Sequence, residues 1–147
     1  MKFVHTNIVA NDYRRLAEFY KSVFGCVNHG STRNLKGEWI EDGTGIKGAE
    51  IEGVHLLLPG YGEDGPTLEI FQYNKTVKGG EKKINRLGYA HIAFQVDNIH
   101  DVIRKVILNG GSQVGKVTNK EIENVGTISF VYVYDPEGNI IELQKWI

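Results

Sequence analysis

Two histidines and two glutamates are the residues of this 147-residue chain whose types and spacing could do chemistry. His5 stands in the strand-like run Phe3-Val4-His5-Thr6-Asn7-Ile8-Val9, and His91 stands in a second one, Tyr89-Ala90-His91-Ile92-Ala93-Phe94. Glu69 falls within Thr67 to Tyr73 and Glu142 within Ile140 to Trp146, both strand-like. Side chains alternate across a strand, so each of the four can be given a face. Ala90, Ile92, Phe94 and Val96 form one apolar face, which puts His91 on the other. The same alternation groups Glu142 with Ile140, Gln144 and Trp146, and Glu69 with Thr67 and Phe71. A lone His or Glu on a strand is ordinarily a hydrogen-bonded or solvated residue. Two imidazoles and two carboxylates at matching places are different, because such nitrogen and oxygen donors satisfy a divalent transition metal. Cys26, the single thiol, offers no competing thiolate set.

The elements that must position these residues come in two copies. A strand at about 2–10 leads into a helix whose apolar positions Leu16, Phe19, Tyr20, Val23 and Phe24 recur at three and four residues. Asn11 or Asp12 is its N-cap, and Gly25 stands where a helix commonly stops. Strands are then expected over 26–34, 50–58 and 67–73, with irregular chain at 41–48 and 60–66. The order recurs in the second half: a strand over 88–97, a helix over 98–109 with Ile99, Val102, Ile103, Val106 and Ile107 as its apolar stripe, then strands near 113–118, 127–134 and 140–146. Asp135-Pro136-Glu137-Gly138-Asn139 joins the last two with hairpin chemistry. The expectation is an α+β chain of two tandem βαβββ modules, about 1–74 and 87–147, with a polar linker at about 75–86, forming one domain over 1–147. Eighteen glycines against three prolines fit many tight turns between short strands. If the two sheets curl toward each other, both His and both Glu face one concavity.

Composition removes several classes of function. A net charge of −1 leaves no Lys/Arg excess for neutralising phosphates, so no nucleic acid is expected. No apolar run approaches the roughly 20 residues that cross a bilayer, so no membrane partner is expected either. A single cysteine cannot form an intrachain disulfide, and the strand-like run at residues 3–9 leads to no expectation of a cleaved signal; a cytoplasmic setting is expected.

In these motifs the chain resembles the vicinal oxygen chelate superfamily, which includes glyoxalase I, methylmalonyl-CoA epimerase, extradiol dioxygenases and bleomycin-binding proteins. The resemblance covers essentially the whole chain. It rests on His5-Thr6-Asn7-Ile8, Glu18-Phe19-Tyr20-Lys21-Ser22-Val23-Phe24-Gly25, Leu68-Glu69-Ile70, Tyr89-Ala90-His91-Ile92-Ala93-Phe94, and Asp135 to Leu143. It implies that His5, Glu69, His91 and Glu142 occupy four metal-ligand positions and that the modules form a cupped half-barrel. The metal implied is a divalent ion, one of Zn, Ni, Co, Mn or Fe, and the assembly implied is a homodimer, with each site within one chain or shared between two. The His/Glu/His/Glu set resembles glyoxalase I most closely. That implies a lyase or isomerase moving a proton beside a carbonyl of a small oxygenated substrate, with Glu142 or Glu69 as the base. An extradiol-type dioxygenase and a non-catalytic, bleomycin-resistance-type binding protein are the alternatives.

The chain departs from the glyoxalase pattern at two places. Val9 stands where bacterial glyoxalases carry an arginine that helps hold glutathione, and Tyr73 where they carry an asparagine, with Asn74 one step later. Both argue against a glutathione thioester as substrate. Glu50 or Glu52 could stand near an epimerase acid but reads as an ordinary exposed strand residue. Gly43 to Gly48 lacks the strand-to-helix context of a phosphate loop, and 60–66 is a hairpin connection or a lid. Trp39, Tyr61, Phe71, Tyr73, Tyr89 and Trp146 are expected in the core or lining an apolar pocket. His29, His55 and His100 lack matching partners and are expected to be non-ligands.

Overall fold

Asp12 caps the first helix, α1 (Tyr13–Phe24), by accepting the Arg15 amide at 3.1 Å, and Gly25 ends it in the left-handed region at φ 72°. Of the apolar repeat read from sequence, Leu16, Phe19, Tyr20 and Val23 are buried, and Phe24 is half-buried. The computed structural model describes all residues from Met1 to Ile147. The chain divides into two compact units, Met1–Lys78 and Gly79–Ile147. No helix is long and apolar enough to cross a membrane.

The first unit holds β1 (His5–Val9), α1, β2 (Val27–Asn28), β3 (Arg33–Lys36), α2 (Glu38–Thr44), β4 (Glu50–Leu57) and β5 (Thr67–Tyr73). Its sheet runs in the order β1, β5, β4, β2, with β3 also paired to β4, and β1 lies parallel to β5. Helix α1 packs on β4 and β5, burying Leu56, Leu68 and Ile70 beneath it. Two expectations are corrected here. The single strand over 26–34 is two short strands, because Gly30 at φ 72° turns the chain between them. Part of the stretch 41–48 is helical: α2 buries only Ile40 and starts at Gly37 without a side-chain cap, so it carries neither an apolar stripe nor a start signal.

The second unit is the simpler βαβββ copy: β6 (His91–Gln95), α3 (Ile99–Leu108), β7 (Ser112–Ile122), β8 (Gly126–Tyr134) and β9 (Ile140–Trp146). Its sheet runs β6, β9, β8, β7, and β6 lies parallel to β9 as β1 does to β5. Asn98 caps α3 through the Asp101 amide, and Ile99, Ile103 and Val106 are buried in it, whereas Ile107, expected in the same stripe, is exposed; the sheet beneath buries Val131, Val133, Ile141 and Leu143. The buried Asp135 carboxylate accepts the Glu137 and Asn139 amides at 2.9 and 2.8 Å and closes the hairpin between β8 and β9. The fold class is the expected α+β, with two sheets each covered by a helix. Twelve of the glycines sit at positive φ, as many tight turns require.

Burial holds the Cys26 thiol up at about 11, and the residue is only 2% exposed. At pH 7 its thiolate fraction is therefore on the order of one in ten thousand. Folded protein is expected to leave Cys26 unmodified by a thiol reagent over the time in which unfolded protein reacts fully. Mass spectrometry of alkylated samples with and without denaturant checks this.

Candidate metal centre

The register of each sheet decides which side chains meet. In the first unit, Asn7 of β1 and His55 of β4 both lie opposite Glu69 of β5, so Glu69 has a polar neighbour on either side of the same face. His5 lies opposite Thr67, two residues from Glu69 along that face. Both oxygens of the Glu69 carboxylate are engaged. Oε2 accepts from Asn7 Nδ2 at 3.1 Å and lies 3.3 Å from His5 Nε2, while Oε1 lies 3.1 Å from His55 Nε2. The Glu69 side chain is only 10% exposed, so these three nitrogens replace water that the carboxylate has lost. Burial is the main influence on the His55 imidazole and holds it below its ordinary value, against the opposing pull of Glu69.

The second unit repeats the pair with fewer supports. Glu142 of β9 lies opposite Ala93 of β6 and Tyr132 of β8. His91 Nε2 stands 3.0 Å from Glu142 Oε2, and the Tyr132 ring meets the His91 ring edge-on at 5.2 Å. Burial, and then the Glu142 charge, raise the Tyr132 phenol above its ordinary range. His5 and His91 occupy the first, outward-facing position of strands with the same alternation of exposure. Those are the faces read from sequence.

The four residues singled out in the sequence are thus delivered as two pairs, one nitrogen and one oxygen donor each. No group of three or more His, Cys, Asp or Glu side chains is arranged to hold an ion. Each pair by itself has the donor chemistry of two adjacent metal ligands. Two adjacent nitrogen or oxygen ligands of an octahedral or tetrahedral divalent ion stand about 3.0–3.4 Å apart. The His–Glu separations of 3.3 and 3.0 Å fall in that span.

A family model described as the Glyoxalase/Bleomycin resistance protein/Dioxygenase superfamily matches residues 2–143. The chain belongs to this superfamily. Among curated proteins, it is 29% identical to a lactoylglutathione lyase of Escherichia coli O157:H7, over 97% of this chain and 91% of that one. Among solved structures, a glyoxalase family protein from Bacillus cereus superposes with a TM-score of 0.76 at 20% identity, covering 100% of this chain and 93% of the other. A glyoxalase I variant from Zea mays superposes at 0.64 and 16% identity, covering 97% of this chain and 45% of that one. These two structures support the superfamily's fold alone.

Against this superfamily background, the sequence reading missed His55 and Asn7. His55 was expected to lack a partner; it has Glu69. Its signal is the β4–β5 register, which nothing local in the sequence announces. The aromatic expectation also needs correction. Phe71 and Tyr73 pack on the cluster of Ile40, Ala49 and Ile51, whereas Trp39, Tyr61, Tyr89 and Trp146 are exposed. Glu52 pairs with Arg14 at the surface, as an ordinary exposed strand residue does.

Proposed function

We propose that the chain is a metal-dependent lyase or isomerase of the glyoxalase type, which moves a proton beside a carbonyl of a small oxygenated substrate. The observation that carries this reading is the repetition of one His–Glu pair at equivalent positions of two sheets, His5 with Glu69 and His91 with Glu142. His5 with Glu69, and His91 with Glu142, are the donor pairs proposed for a divalent ion, and the chain is proposed to act as a homodimer in the cytoplasm. When bound, such an ion would supply Lewis-acid polarisation of the carbonyl. The chain's own part is the base. A carboxylate that serves as base must be able to move, and Glu142 has one nitrogen beside it where Glu69 has three. Glu142 takes the proton, and Glu69 stays fixed.

The name of the Escherichia coli relative, lactoylglutathione lyase, supports a lyase. The substrate is proposed to lack glutathione. Val9 offers no charge at the end of β1, and the Tyr73 ring is spent on packing at the end of β5. Metal content of dialysed protein tests the site. Wild type is expected to retain bound metal, and His91→Ala less than about a tenth of that, since losing one ligand costs most of the affinity. Equal metal in both would refute the site. Loaded protein is then screened for proton exchange into deuterated water with hemithioacetals, acyl thioesters and α-hydroxy ketones, and for oxygen uptake with catechols.

A further inference from the structure

We propose that His55 is a positioning residue of this centre, fixing the Glu69 carboxylate so that its Oε2 is held beside His5 as a ready donor pair. The inference rests on the metal reading above and concerns a residue outside the four ligand positions. His55 Nε2 lies 3.1 Å from Glu69 Oε1, on the oxygen that His5 does not approach. Asn7 donates to the other oxygen at 3.1 Å, so rotation of the carboxylate breaks a contact on each side. A ligand carboxylate anchored in this way is presented to an ion in one orientation rather than several.

The second unit shows that the fold does not need this arrangement. There the residues opposite Glu142 are Ala93 and Tyr132, and the same parallel and antiparallel pairings form without an amide or imidazole at either place. His55 and Asn7 are therefore additions to one copy of the repeat, not requirements of it. His55 is itself braced. Phe71 meets its ring edge-on, with centroids 5.6 Å apart. Phe71 in turn lies over Gly53, where a Cβ would come within 2.4 Å of the Phe71 ring. The series Gly53, Phe71, His55, Glu69 gives the imidazole little freedom to leave the carboxylate.

The test uses full-length protein loaded with Co(II), whose visible absorption reports ligand geometry, with affinity measured by chelator competition. His55→Phe keeps the ring and removes the donor, whereas His55→Gln restores an N–H. His55→Phe is expected to bind Co(II) about 10–100-fold more weakly with shifted visible bands, and His55→Gln to recover to within about threefold of wild type. Thermal unfolding of the metal-free variants establishes that they fold; should the Phe variant not, His55→Tyr carries the residue that the second unit has at this register. Unchanged affinity and spectrum in His55→Phe would overturn the positioning role and leave the metal reading standing. Equal loss in both variants would make His55 a direct ligand and also overturn it. Wild-type protein that binds no more Co(II) than His91→Ala would sink the metal reading itself.

Discussion

Replacing Glu142 by glutamine is expected to slow proton exchange by about 10²–10⁴-fold, the range a positioned general base contributes, while most of the bound metal remains. Glutamine keeps an oxygen that can face an ion but has no basicity, so it separates binding from proton transfer. The matching change in the first unit has a different outcome. Glu69 touches Asn7, His5 and His55, and a neutral amide cannot accept from donors on both sides as a carboxylate does. Hydrogen bonds to a charged group contribute roughly 1.5–3 kcal/mol each, so moving Glu69 off its donors during a reaction would add to the barrier. Glu69→Gln is therefore expected to show first as weakened metal binding, with activity restored by excess metal. Deuterium wash-in followed by proton NMR, alongside elemental analysis, distinguishes the two variants. Full activity in Glu142→Gln together with a metal-replete but inactive Glu69→Gln would reverse the assignment of base and fixed ligand.

The difference between the two glutamates could not be read from the sequence, although the glutamates themselves could. His5, Glu69, His91 and Glu142 are legible because strand alternation has a period of two and because the chain says the same thing twice; both effects survive without knowledge of any long-range pairing. The caps at Asp12 and Gly25 and the two helix stripes are legible for the same local reason. His55 is a long-range fact. Nine residues, Leu58 to Pro66, separate β4 from β5, too many for a tight turn to set the register that puts His55 opposite Glu69. The repeat gave no help either, since the equivalent position in the second unit is Tyr132. Helix α2 escaped for want of any local signal: Gly37 offers no capping side chain, and Gly43 and Gly45 read as loop. The exposed aromatics went wrong for a simpler reason, which is that size and apolarity predispose a side chain to burial without securing it a site.

Gly53→Ala is the substitution expected to damage fold and site together. A Cβ at this position would stand 2.3 Å from the Ile70 carbonyl oxygen and 2.4 Å from the Phe71 ring. The first of these is backbone of the neighbouring strand, so the contact is relieved only by separating β4 from β5 or tilting one against the other. Overpacking of this kind costs about 1–3 kcal/mol, occasionally more. For a chain of this size that corresponds to a loss of roughly 3–10 °C in Tm. The strain falls one pleat from the site, because Gly53 pairs with Phe71 and His55 pairs with Glu69 along the same two strands. The variant is therefore expected to lose Co(II) affinity as well as stability, in the same direction as His55→Phe. Gly80→Ala is the control: a Cβ there meets nothing within 4 Å, and its Tm and metal affinity are expected to match wild type. Thermal unfolding of metal-free protein and Co(II) titration of folded protein measure the two effects separately. A Gly53→Ala protein as stable as wild type would mean that β4 and β5 yield where the packing says they cannot. Intact stability would also remove the reason for a glycine beneath Phe71, and with it the mechanical link between this strand pair and the carboxylate it carries.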